Sequence, residues 1–187
     1  VLNWNSGASI SGTGAFNISS GTTNLNADIS IPPGIAFSVS NTSTIITGSG
    51  NLTINNDFTN RVQIVGSGAL IVTGNMNWIE GALGRNYTVP AGKTLSLTTG
   101  NQKNASGFNI TNNGIIDWQD GFINIGDFAG TLTNNGLFNI SGNNTLNSGV
   151  PFTFLNNGTV NKISTGSTTF SGGNVGFNNT GTLKGIG

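Results

Sequence analysis

Apolar residues in this chain alternate with small or polar ones in short runs, and a glycine introduces most of the runs. Phe16 and Ile18, Leu52 and Ile54, Leu70 and Val72, Phe138 and Ile140 are representative pairs. An apolar side chain at every second position places one apolar face on an extended strand. The introducing glycines form a series: Gly14, Gly34, Gly50, Gly68, Gly92, Gly114, Gly136, Gly158 and Gly181. Two members slip by one position, with Gly34 leading Ile35, Phe37 and Val39, and Gly92 leading Leu95 and Leu97. Both follow a proline pair, Ile31-Pro32 or Val89-Pro90, where the missing N–H predicts a bulge or corner.

The series contains a stricter repeat. Asn112-Asn113-Gly114, Asn134-Asn135-Gly136, Asn156-Asn157-Gly158 and the looser Asn178-Asn179-Thr180-Gly181 follow one another at a constant step. A strand and a turn at that period, without helical periodicity, predict a solenoid. The predicted fold is all-β: one right-handed parallel β-helix over residues 1–187, of about nine coils with roughly 22 residues each. Coils stacked at strand spacing, ~4.8 Å, make a rod on the order of 40 Å long. The Asn-Asn-Gly segments are expected to be its corners. Both residue types tolerate left-handed backbone, and stacked amides can bond along the axis.

Composition excludes several function classes. Charged residues are 6% of the chain against about 25% in ordinary soluble proteins. Hydrophobic residues are nevertheless 35%, which separates the chain from disordered sequences. Net charge is zero and the six basic residues are scattered, so no nucleic-acid partner is expected. No apolar run approaches the roughly 20 residues of a membrane span. Cysteine and histidine are absent, which removes thiolate and imidazole chemistry. The first residue is Val1, and the chain is taken as an excised or processed piece.

Three tryptophans share a Trp-x-x-Gly spacing: Trp4 to Gly7, Trp78 to Gly81 and Trp118 to Gly121. Trp118 falls where Ile18, Ile54 and Ile140 fall after their glycines, which predicts core packing. Tryptophan is also a stacking platform for sugars, so Trp4, Trp78 and Trp118 are the candidate glycan contacts. Among the acids, Asp117, Asp120 and Asp127 are close in sequence and are the candidate Ca²⁺ ligands; no other cofactor is implied. Glu80 and Asp120 sit at matching offsets after their tryptophans and are expected on one face, two coils or roughly 10 Å apart. That is loose for a hydrolytic carboxylate pair, and no catalytic residue is assigned. Ten Asn-x-Ser/Thr sequons occur, at Asn17, Asn41, Asn51, Asn86, Asn104, Asn109, Asn139, Asn143, Asn157 and Asn178. Chance in so Asn-, Ser- and Thr-rich a chain supplies about seven, so they mark glycosylation only weakly.

Three phrases are familiar: Tyr87-Thr88-Val89-Pro90-Ala91-Gly92-Lys93-Thr94-Leu95, Asn134-Asn135-Gly136-Leu137-Phe138-Asn139-Ile140 and Asn178-Asn179-Thr180-Gly181-Thr182-Leu183. They resemble the repeats of very large bacterial surface proteins and, more broadly, of filamentous-haemagglutinin-type adhesins. The resemblance implies a right-handed parallel β-helix, an extracellular or cell-surface location, and a structural or adhesive role as a stalk or filament element with glycan contact. The same fold also serves polysaccharide lyases and hydrolases, which is the alternative expectation. A flat Thr-rich face that orders ice is a third, although no Thr-x-Thr triplet recurs at a fixed place in each coil.

The two ends also read into one another. Gly185-Ile186-Gly187 placed before Val1-Leu2-Asn3-Trp4 copies the pattern of Gly12-Thr13-Gly14-Ala15-Phe16-Asn17-Ile18. The chain is therefore expected to be one unit of a longer tandem array, or to meet copies of itself head to tail through the end coils.

Overall fold

The structure is a computed structural model and describes residues 1–105, 107 and 109–185. The expected solenoid is present: an all-β parallel stack of about eight turns, with roughly 22 residues per turn and no helix among the described residues. Each complete turn carries three short strands. One such turn runs through Asn109–Asn112, Ile115–Trp118 and Phe122–Ile125. In each of these strands the second and fourth residues are buried, as period-two alternation requires.

The strands stack into three parallel faces. The first face has nine strands, from Leu2–Trp4 to Thr168–Ser171. The second has eight, from Ile29–Ile31 to Val175–Asn179. The third has seven, from Phe58–Asn60 to Thr182–Lys184, preceded by the pair Gly14–Ile18 and Ile35–Val39. An aromatic column carries the third face across that break, with Phe16, Phe37 and Phe58 stacked at centroid distances of 5.9 and 5.7 Å. The opening coil lacks a second-face strand, which is why eight full turns stand where nine were expected.

The glycine series was therefore two series. Gly50 and Gly68 precede second-face strands, whereas Gly34, Gly92, Gly114, Gly136, Gly158 and Gly181 precede third-face strands. Turn length also varies: the step from Leu70 to its partner Tyr87 is short, and the step from Thr145 to its partner Thr169 is long. Short and long corners absorb the difference without breaking the strand ladders. The proline pairs do form corners, each closed by a backbone bond, Ile35 N to Pro32 O at 3.1 Å and Lys93 N to Pro90 O at 3.0 Å.

The Asn-Asn-Gly corners stack as expected, but the backbone reason is different. Asp127 is the sole non-glycine residue with positive φ among the described residues, and Gly114, Gly136, Gly158 and Gly181 are outside that region too. Their need is space. A Cβ on Gly136 would stand 2.2 Å from Gly114 O, and one on Gly158 2.2 Å from Gly136 O. Those same carbonyls accept backbone N–H groups from the next coil, as in Leu137 N to Gly114 O at 3.0 Å.

The first Asn of the three strict corners points inward. Asn112 Nδ2 donates to Asn134 Oδ1 at 2.7 Å, Asn134 to Asn156 at 2.7 Å, and Asn156 to Asn179 at 2.6 Å. The second Asn points outward and its ladder runs the other way, Asn157 donating to Asn135 and Asn135 to Asn113, each at 3.0 Å. At the last corner the pairing slips by one position from the constant step. Asn156 pairs with Asn179, while Asn178 lies opposite Leu155 on the second face.

The core is the lumen of the stack, filled by Ile, Leu, Val and aromatic side chains from all three faces. Among the described residues two cations, Arg85 and Lys103, are fully buried. Arg85 is 1% exposed and donates to Val65 O, Gly50 O and Gly48 O at 2.9, 2.7 and 3.0 Å. Its guanidinium lies within 3.2 Å of where Cβ atoms on Gly66 and Gly68 would be, so those glycines make its room. Burial lowers the pKa of Arg85, because the charged form loses water.

Candidate functional site

The first face carries an open groove of about 1070 Å³. Its floor is the outward row Gln63, Ala82, Asn104 and Asn124, one residue from each of four successive coils. Period-two alternation puts these side chains outside, because their neighbours Ile64, Leu83, Ala105 and Ile125 fill the lumen. The floor amides are only loosely tied together. Asn124 Nδ2 donates to Asn104 Oδ1 at 3.4 Å, and Asn147 Nδ2 to Asn124 Oδ1 at 3.4 Å. Bonds of that length are weak, but Asn104 Oδ1 also accepts from Gln102 Nε2 at 2.5 Å, so Asn104 has only its N–H groups to offer, while Gln63 and Asn124 retain donor and acceptor capacity.

One wall comes from the corner after Phe122–Ile125. In register this corner takes about six residue steps from Ile64 to Leu70 and about four from Leu83 to Tyr87, but about seven from Ile125 to Leu132. Here the chain swells into Gly126-Asp127-Phe128-Ala129. Asp127 has φ 60°, and Phe128 N donates to Gly126 O at 2.7 Å, which closes a three-residue γ-turn around Asp127. That turn is rare and strained for a residue with a side chain. It lifts Phe128 until 67% of its surface is exposed. The opposite wall is the row of corners holding Thr42, Arg61, Glu80 and Asn101, with Asn101 Nδ2 donating to Glu80 Oε2 at 3.1 Å.

Lys103 lies beneath that second wall. It occupies the inward row between Gly81 and Ile123, where an apolar residue would be expected. Its Nζ donates to Thr99 O at 2.6 Å and Asn101 O at 2.9 Å. Burial lowers its pKa, and the charges of Asp120 and Glu80 work against that shift. Glu80 and Asp120 thus act on one ammonium from the corners on either side of its own, two coils apart on the same edge.

The tryptophans are not a sugar platform. Trp4, Trp78 and Trp118 are 8%, 1% and 0% exposed, and all three belong to the core. Their shared spacing also hides two environments. Trp78 and Trp118 end third-face strands, whereas Trp4 ends a first-face strand opposite Leu25. Gly81 and Gly121 follow at φ +87° and +92°, and a Cβ on either would meet backbone at 2.3–2.4 Å.

The three candidate Ca²⁺ ligands separate. Asp117 sits on a third-face strand and accepts from Gln119 Nε2 at 2.6 Å, Asp120 accepts from Gly121 N at 2.7 Å, and Asp127 stands in the groove wall. Among the described residues no three acids converge as a metal-sized group. Several sequon asparagines are tied into the stack. Asn51 bonds Asp28, Asn86 Oδ1 accepts from Asn109, Asn143 Oδ1 accepts from Ser167 N, and Asn157 belongs to the outer ladder. Asn104 is in the groove floor, while Asn17, Asn139 and Asn178 are on outward strand positions and Asn41 is in a turn. On the second face, Thr88, Thr111 and Thr133 stand in register, but Leu155 follows them and Ile71 precedes them. The end-to-end junction expected through Ile186 and Gly187 lies outside the described residues.

Gln63, Asn124 and Phe128 were missed by sequence reasoning. Phe128 alone left a signal: a large apolar residue inside a Gly-Asp-x-Ala-Gly turn, out of step with the strand alternation. No protein-family model, no curated protein and no solved structure matches the chain.

Proposed function

We propose that this chain is a rigid structural and adhesive segment of an extracellular surface protein, a stalk or filament element that touches glycans. The observation that carries the reading is the ladder-locked stack. Three stacked strand faces with amide-bonded corners hold neutral amides and hydroxyls at strand spacing along a rod. Such a surface suits contact with polyols and is poor in charge. The test is incubation with a panel of immobilised polysaccharides, scoring both retention and new reducing ends. Retention without product supports adhesion. Product release supports the second reading, a carbohydrate-active enzyme, which the placement of Glu80 and Asp120 about Lys103 favours.

Stacking also suits self-association. The coil of Thr168–Ser171, Val175–Asn179 and Thr182–Lys184 presents Phe177 and Leu183 at 38% and 56% exposure, and the inner ladder reaches Asn179. A further coil, from a continuing array or a second copy, would cover both. Light scattering over a concentration series, with Leu183→Asp as the blocking variant, tests the second copy.

A further inference from the structure

We propose that the groove on the first face binds a neutral, extended β-linked oligosaccharide, with Phe128 as its stacking platform. This rests on the adhesive reading above and gives it a location and a ligand class.

The floor repeats along the axis. Gln63, Ala82, Asn104 and Asn124 follow one another at strand spacing, about 4.8 Å. That interval is close to the length of one pyranose in a β-linked ribbon. A sugar chain lying along the axis therefore meets a new coil at each residue. Gln63 and Asn124 offer both a donor and an acceptor, matching the two-way capacity of a hydroxyl, and Asn104 offers its N–H groups. The long contacts within the amide row are easily exchanged for ligand contacts.

Phe128 provides what the amides lack. A pyranose has an apolar C–H face, and an exposed aromatic ring beside a polar floor is its natural partner. The γ-turn at Asp127 holds the ring out of the core and over the groove edge. A strained turn that keeps a large apolar side chain in water is otherwise unfavourable twice over.

The other polymeric ligands fit less well. Arg61, Glu80 and Asp127 leave the groove near neutrality, without the cationic lining a polyanion needs. An extended peptide is usually held by a free sheet edge. The strands beneath this groove are paired on both sides, so their backbone groups are already committed.

The test is calorimetric titration of the whole chain with cellohexaose, for the wild type, Phe128→Ala, Asn104→Ala and the second-face control Ile71→Ala. Circular dichroism before titration checks that each variant is folded. Phe128 and Ile71 are exposed, so their truncation leaves the core intact. The expected result is binding by the wild type and the control, weakened roughly tenfold or more by Phe128→Ala and measurably by Asn104→Ala. Equal affinity of Phe128→Ala and wild type, or no binding of cellohexaose by the wild type, overturns the assignment. The immobilised panel separates the two levels. A Phe128→Ala chain retained like the wild type refutes the groove and leaves adhesion standing; a wild type retained by nothing refutes both.

Discussion

Asn112 Nδ2 donates to Asn134 Oδ1 at 2.7 Å across two coils, and the same amide nitrogen also donates to Leu137 O at 3.0 Å. Asn134 repeats the pattern with Asn156 and Thr159 O, so every inner amide joins its own corner to the next. Asn134 is fully buried, and its loss strands partners that water does not reach. Asn134→Ala is expected to destabilise the chain by about 2–4 kcal/mol, and Asn135→Ala, on the exposed ladder, by less than about 1 kcal/mol. Urea midpoints for the two variants check the contrast. Equal shifts would mean that the inner ladder contributes no more than the outer one.

Glycine is needed at two kinds of position for two reasons. Gly136→Ala forces a Cβ against Gly114 O, a backbone atom that cannot swing away, and is expected to cost about 3 kcal/mol or more. Gly92→Ala meets no atom within 4 Å and suffers only from its φ of +73°, for about 1–2 kcal/mol. Thermal or urea unfolding of both variants ranks them.

Tyr87 gives the chain an alkaline limit. Its hydroxyl is buried without a partner, and burial raises its pKa well above the ordinary value of 10.0. The unfolded chain releases this proton above pH 10 while the folded chain holds it, so stability falls as pH rises through that value. Tyr87→Phe should remove this fall, and at neutral pH should stabilise the chain by about 1 kcal/mol by deleting an unsatisfied group. Tyr87 is the only tyrosine, so tyrosinate absorbance reads the site directly. Its appearance before unfolding would show the hydroxyl to be accessible. Lys103 has a lowered pKa and acts with the opposite sign below its ordinary range, so the difference between wild type and Tyr87→Phe is the quantity to measure.

Trp118 is fully buried and touches Phe138 edge-on at 6.3 Å. Trp118→Ala is expected to cost about 3–5 kcal/mol. Indole fluorescence should be emitted from an apolar environment in the native chain, resist a soluble quencher, and be unmoved by saturating oligosaccharide. Quenching by a bound sugar would return tryptophan to the site.

Alternation alone fixed which side of each strand faces the core. Every residue expected inward is buried, except Phe16, which is partly buried against the core. The repeated Asn-Asn-Gly made the corners and their amide ladders legible, since a side-chain amide recurring at coil length has little else to bond. These are local properties of strand and turn, and period and residue type carry them. Which glycine belongs to which corner was decided only by the stack. The short coil from Leu70 to Tyr87 and the long one from Thr145 to Thr169 break any fixed sequence offset, yet strand pairing restores the register in space. The same pairing slipped the last corner by one position and brought Gln63, Asn104 and Asn124 into one row. The exposure of Phe128 follows the same rule, whereas the core position of Trp118 was already legible in its place after Gly114. A strand end projects into the lumen or out of it according to where its corner turns, and one enlarged loop raises a residue that composition would have put inside.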